Sequence, residues 1–424
     1  LKVELAYGST GLTVQLPDDA EIDIIRSRYK AGYEDQRAAV HRALISPVSA
    51  PPLSKVVKPK TKVGIVVSDV TRPVPYKYII PEILQEVSAL PNDIWIFIAT
   101  GTHRKTSEEE LKKMLGEEVL RTYRIVQNNA SARGLHSFVG TTKRRNHIYI
   151  HRDFLRCDVK ILTGFIEPHF FAGFSGGGKA VMPGLASLET ILNNHSPHNI
   201  DSPRAGWGIT RGNPVWEDIQ EAARLVGPTF LINVTLNRNR EITGVFAGDF
   251  MEAYDRGCAA AMEIAMPPAR RLYDIVITSN AGYPLDLNMY QSVKGMSAAC
   301  LIVRDGGSII VAAECRDGIP DTGMYQELLM NAKSPDSLLK KLHSEGFRCQ
   351  DMWEAQIHAR ICKKADVYFY SDNLKDDDIT GAFMTPCSSV EETIESLLKK
   401  YGKETSICVL PEGPLTIPGI DTGL

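Results

Sequence analysis

Between Gly164 and His195 the chain reads GFIEPHFFAGFSGGGKAVMPGLASLETILNNH, which holds a histidine, a glycine-rich loop closed by a lysine, and a second histidine. Glycines let backbone N–H groups approach an anion, and a helix that follows adds the positive end of its dipole. A lysine closing such a loop can clamp a phosphate or act as an amine nucleophile. Histidines carry protons or bind metals. Gly173 to Lys179, GFSGGGK, satisfies the G-x-x-x-x-G-K pattern of a nucleotide-binding loop. Ala180 follows, however, where Mg²⁺ chemistry needs Ser or Thr, and Phe165 to Phe171 separate the loop from the strand before it. A kinase or NTPase is therefore an alternative reading, and a tight turn with a solvated Lys179 is the purely structural one.

Further candidates stand outside this segment. Arg72, set between Thr71 and Pro73, has a restricted backbone and a guanidinium suited to a carboxylate or phosphate. Asp69 could orient Arg72, bond a hydroxyl, or simply cap a turn. His103 and His169 each follow a strand, and two histidines facing one carbon from opposite sides would suit a racemase, one proton carrier per enantiomer. Gln291 and Lys294 are three residues apart on an expected helix after Pro284, hence on one face. His195 and His198 are also three apart, but Pro197 between them disfavours a helical metal pair, and one histidine alone cannot hold a metal tightly.

These residues need elements to hold them. Apolar β-type runs at 62–68, 93–100, 158–164, 229–237 and 242–248 alternate with helical patterns near 35–46, 79–90, 107–115, 188–193 and 251–264. After a Pro-rich connection at 266–270 the rhythm restarts with strands at 273–280, 307–314, 366–373 and 406–413. Such alternation implies parallel β–α–β units. The expected fold is α/β: two domains with mainly parallel, Rossmann-like sheets and an active-site cleft between them. The boundaries are 1–270 and 271–404, with the tail 405–424 returning to the first domain. Ligands in such sheets bind beyond the carboxyl ends of the strands, where Asp69, His103, Glu167, His169 and Asn233 fall.

Composition narrows the function classes. A net charge of -3 without a basic patch points away from nucleic acid. No apolar run is long enough for a membrane span, and the first residues lack a secretory pattern. Eight cysteines without a C-x-x-C pair fit neither a zinc ribbon nor a disulfide framework, so a reducing cytoplasm is expected.

SDVTRPVP (68–75), ATGTHR (99–104), GFIEPHFFAGFSGGGKAVMPG (164–184), NNHS (193–196), GYPLDLNMYQSVKGM (282–296) and DMWEAQIHARI (351–361) resemble, in matching order over nearly the whole chain, the lactate racemase family. The resemblance implies an isomerase that uses a nickel-pincer nucleotide. This pyridinium mononucleotide with two sulfur arms would attach to Lys179, its nickel taking His195 as fourth ligand. Gly176, Gly177 and Gly178 would cradle its phosphate, and Asp69 and Thr71 would contact the nucleotide or orient the arginine. His103 and His169 would be the acid/base pair, while Arg72, Gln291 and Lys294 would bind a small 2-hydroxy acid. The implied reaction is proton-coupled hydride transfer through a 2-keto acid, with domain closure excluding water. Cofactor-making proteins would be transient partners, and a chain made without them would be apo. The chain departs from the family pattern at Gly178, where an arginine is usual. A non-catalytic binder of a nucleotide or hydroxy acid is the remaining alternative.

Overall fold

Runs such as VGIVVS are apolar at almost every position, and a strand with that pattern is stable only with both faces covered. In the computed structural model, which describes all residues except 19, 88–90, 322, 403 and 421–424, this run forms the strand Val63–Ser68, buried from its first residue to its fifth. It lies inside a six-stranded sheet ordered Ile242–Gly248, Phe230–Leu236, Val159–Phe165, Val63–Ser68, Ile94–Ala99, Arg124–Gln127. All neighbours are parallel except Ile242–Gly248, which returns antiparallel on Phe230–Leu236. Helices Gln36–Ile45, Tyr76–Glu86, Glu108–Leu115 and Pro214–Val226 belong to the same unit, made of Tyr29–His195 and Asp201–Glu263. The helix expected over 79–90 is Tyr76–Glu86; residues 88–90 lie outside the described residues. A hairpin of His136–Thr141 with His147–His151 and the helix Pro214–Val226 were not legible as elements.

The second unit comprises Leu1–Arg28, Ser196–Ile200 and Ile264–Leu424. Its sheet is parallel throughout, ordered Thr385–Pro386, Asp366–Tyr370, Val303–Ala312, Tyr273–Ser279, Ser406–Leu410, Glu21–Ile24. The boundary at 270, with the tail 405–424 joining the first domain, is thereby corrected. Ser406–Leu410 is buried along its whole length and pairs Ile407 with Ile275 on one side and with Ile22 on the other. A strand with both edges bonded cannot leave its sheet without exposing two rows of backbone groups, so the first and last segments of the chain belong together.

Candidate active site

Strands Val63–Ser68, Ile94–Ala99 and Val159–Phe165 run parallel, so their carboxyl ends open on one edge of the first unit's sheet. Asp69 leaves the first of these and is 3% exposed. Its Oδ1 accepts the Thr71 hydroxyl at 2.6 Å and the Thr71 N–H at 3.1 Å. Its Oδ2 is 2.7 Å from His103 Nδ1, on the turn after the second strand. Burial pushes the Asp69 carboxyl up, but the charge and hydrogen bond of His103, the Thr71 bond and the charge of Arg72 outweigh it and hold the group below its ordinary range. A carboxylate can only accept, so His103 Nδ1 carries a hydrogen and Nε2 points away from Asp69. His103 remains 39% exposed.

The third strand leads to Glu167, whose Oε1 accepts from Arg72 Nη1 at 3.3 Å. Pro168–His169 then pairs with Gly173–Phe174 in a small hairpin. His169 is buried, its ring 4.9 Å from Phe170 and 4.6 Å from Phe171. The Ala172 N–H donates to His169 Nδ1 at 3.3 Å, so the neutral ring carries its hydrogen on Nε2. Phe171 also stands edge-on to His195, 5.0 Å away, and Lys179 Nζ lies 5.7 Å from the Phe171 ring centre. One phenylalanine thus gathers His169, Lys179 and His195.

The helix expected near 188–193 is present, but it does not open directly on the glycine loop. Gly177–Ala180 is a short 3₁₀ turn, and the next α-helix, Leu188–Asn194, starts only at Leu188. Gly176 and Gly177 have positive φ, which suits glycine. A Cβ at Gly176 would lie 2.6 Å from Asn233 Oδ1, at Gly177 2.8 Å from the Tyr254 ring, and at Gly178 2.9 Å from Gln220 Oε1. The Gly177 N–H donates to Asn233 Oδ1 at 2.7 Å, and the Lys179 N–H to the Gly176 carbonyl at 3.1 Å. The expected role of Gly176, Gly177 and Gly178 in cradling a phosphate rests on backbone N–H groups, of which those of Gly177 and Lys179 are already bonded within the fold. Protein already fills the space that the missing side chains leave. The glycines let the loop pack tightly and so present Lys179. The strand–loop–helix geometry of a nucleotide triphosphatase is not formed.

His195 ends the helix Leu188–Asn194, and its Nδ1 is 2.8 Å from Asn194 Oδ1. Burial, with the positive charge of Lys179 beside it, drives the ring down to about 3, so it is a neutral imidazole at neutral pH. In the second unit, Asn288 caps the helix Met289–Cys300 by accepting the Gln291 N–H, and Lys294 Nζ donates to Gln291 Oε1 at 2.5 Å. Both expected substrate-binding side chains therefore share one face. Glu354, on the helix Met352–Lys364, is 2% exposed. Burial pushes it up to about 8, against the pull of Lys294 and with the help of Asp351.

Residues 7–208 match the family model of the lactate racemase N-terminal domain, and residues 269–417 that of the lactate racemase C-terminal domain. The chain is 36% identical to a lactate racemase of Thermoanaerobacterium thermosaccharolyticum over 97% of both chains. It is 35% identical to one of Lactiplantibacillus plantarum over 97% of this chain and 98% of that one. The solved structure of the lactate racemase apoprotein from T. thermosaccharolyticum superposes with a TM-score of 0.92, covering 99% of this chain and 100% of that one. The chain belongs to the lactate racemase family. It is an isomerase, a racemase with the family's α/β fold.

The family uses a nickel cofactor, and the residues around Phe171 fit such a group. Lys179 offers an amine, and His195 offers a neutral ring with Nδ1 already bonded. Among the described residues no three His, Cys, Asp or Glu side chains gather to hold a metal. A metal on His195 would therefore draw its other ligands from the cofactor. Behind the loop, Gln220 is fully buried with both amide atoms lacking a hydrogen-bond partner. Among the lactate racemase motifs, Phe171 and Glu167 were in view without a role, and Asn194 was visible only as the residue before His195. Glu354 lay within the DMWEAQIHARI motif without a role, and nothing in the sequence marked Gln220.

Proposed function

We propose that the protein is a nickel-pincer-nucleotide-dependent racemase or epimerase of a small 2-hydroxy acid. The observation that carries this reading is the gathering of His169, Lys179 and His195 around Phe171, on the sheet edge that also bears the Asp69–His103 pair. When bound, attached at Lys179 and ligated by His195, the cofactor supplies a carbon that accepts the substrate's α-hydrogen as hydride and returns it.

The chain's own side chains do the rest. Arg72, with Glu167 fixing its guanidinium, holds the anionic end of the substrate, and Gln291 and Lys294 keep the substrate-binding role that the family resemblance implies for them. His103, with Nδ1 given to Asp69, takes the hydroxyl proton on Nε2 as hydride leaves the α-carbon. A 2-keto acid is planar at its carbonyl carbon, so both of its faces would be open to reduction. His169, whose neutral ring bears its hydrogen on Nε2, donates to the oxygen on the opposite side. Its burial between Phe170 and Phe171 keeps bulk water from that proton. Asp69 and Thr71 hold His103 in register. The substrate is a lactate-like or larger hydroxy acid, and proteins that make the cofactor load it. All eight cysteines are free and no described helix is long and apolar enough to cross a membrane, which is compatible with a reducing cytoplasm.

Intact-mass spectrometry with nickel analysis, after co-expression with the cofactor-making proteins, tests the proposal. The expected result is a nucleotide adduct on Lys179, about one nickel per chain, and racemisation of a chiral 2-hydroxy acid. A chain that stays unmodified in a host that loads a known relative would overturn it.

A further inference from the structure

His195 does not stand on its own bond to Asn194. Asn194 is fully buried, and its Nδ2 donates to the Val215 carbonyl at 3.1 Å and to Asp218 Oδ2 at 2.9 Å. Those two acceptors fix which end of the amide is nitrogen, so Oδ1 is the atom that faces His195. An amide oxygen can only accept. His195 Nδ1 must therefore carry the hydrogen, and in a neutral ring Nε2 is then unprotonated.

Asp218 is held as firmly. It is 1% exposed, on the helix Pro214–Val226, and accepts from Thr142 Oγ1 at 2.5 Å and Asn146 Nδ2 at 2.8 Å as well as from Asn194. Thr142 and Asn146 flank the turn of the hairpin His136–Thr141/His147–His151, and Asn146 Nδ2 also donates to the Thr190 carbonyl at 3.1 Å. Two elements remote in sequence, the hairpin turn and the helix Leu188–Asn194, thus converge on a carboxyl group carried by a third. So much buried hydrogen bonding behind a single imidazole exceeds what closing the core requires, because apolar side chains would fill the same space without needing partners.

We propose that Asp218, acting through Asn194, is a positioning residue that locks His195 in the Nδ1–H form and so presents Nε2 as a ready ligand. The ligand role of His195 rests on the function proposed above; the locked hydrogen position does not.

Nitrogen NMR of the full apo chain, with isotope-labelled histidine and His195 assigned by its loss in His195→Gln, tests this directly. The wild-type ring should show a protonated Nδ1 and a bare Nε2. Asp218→Asn keeps the shape but turns an N–H₂ toward the donors of Asn146 and Asn194. Held by the Val215 carbonyl alone, the Asn194 amide should flip in part of the population, donate to Nδ1 and invert the ring there, leaving Nε2 protonated in that fraction. Asn194→Leu, which removes the acceptor, should give a mixture and serves if the first variant does not fold. In chain loaded by the cofactor-making proteins, nickel retention should fall by about 10- to 100-fold in Asp218→Asn, the usual cost of losing such a supporting contact. An unchanged ring in both variants, or nickel retention unchanged after inversion, overturns the proposal. Inversion in a chain whose wild type takes up no nickel would uphold the lock while refuting the racemase reading.

Discussion

His103 and His169 are the same side chain at the same edge of one sheet, yet their surroundings are opposite. His103 is 39% exposed and gives Nδ1 to a buried carboxylate; His169 is 7% exposed, lies between two phenylalanines, and receives a backbone N–H at Nδ1. The partner at Nδ1 decides which form the neutral ring takes, and so whether Nε2 arrives as a lone pair or as a donor. A reaction that removes one proton and supplies another needs one of each. On the mechanism proposed above, the pair would be prepared for one direction, and turnover in the other would require both rings to exchange their hydrogens.

The most severe way to break this pairing is to remove a ring. His103→Gln and His169→Gln should each lower kcat by about 10³-fold, within the range of general acid–base catalysis, with the cofactor adduct intact by mass. An adduct lost along with activity would mean that the ring serves binding instead. Asp69→Asn keeps His103 but replaces its carboxylate with an amide that can also donate. A fall in kcat of about 10²-fold is expected, smaller than ring removal, with KM little changed. Arg72→Ala sharpens the contrast from the substrate side: KM should rise by about tenfold or more from the lost charged contact, and kcat should fall less.

The smallest effect is on stability, and it separates buried rings from exposed ones. His195 is held at about 3, and His151 and His358 at about 4, each by burial. The folded state keeps them neutral while the unfolded chain binds protons as pH drops below the ordinary histidine value. Stability is thus fully present above that value and declines as pH falls toward about 4, by about 1.4 kcal/mol per pH unit for each such group at most. Melting temperatures measured from neutral pH down to about pH 5 should fall steadily, and less steeply in His358→Gln. A flat profile would mean that these rings are not held neutral.

Much of this was legible because parallel strands announce themselves as continuous apolar runs, and because polar residues after such runs must gather at one edge. Asp69, His103, His169 and Lys179 followed from that rule and from the family resemblance. The glycine loop was only half legible, for a physical reason. Three glycines and a lysine look alike whether a ligand or a protein atom takes the vacated space, and here Asn233, Tyr254 and Gln220 take it. Asp218 was invisible because its partners are 24, 72 and 76 residues away and a helical aspartate carries no local signature. The domain boundary failed for a similar reason, since nothing local says that Glu21–Ile24 pairs with Ser406–Leu410.

That last pairing also bears on how the chain is made. A ribosome produces Glu21–Ile24 long before Ser406–Leu410, so the edge strand waits through all of the intervening synthesis for its neighbour. The unit that carries Lys179 and His195 has all of its sheet once Gly248 has emerged, and can fold while translation continues. The other can complete its sheet only after Leu410 has emerged. Nascent chains stalled before residue 406 should therefore resist protease over the first sheet and remain cleavable near the amino terminus.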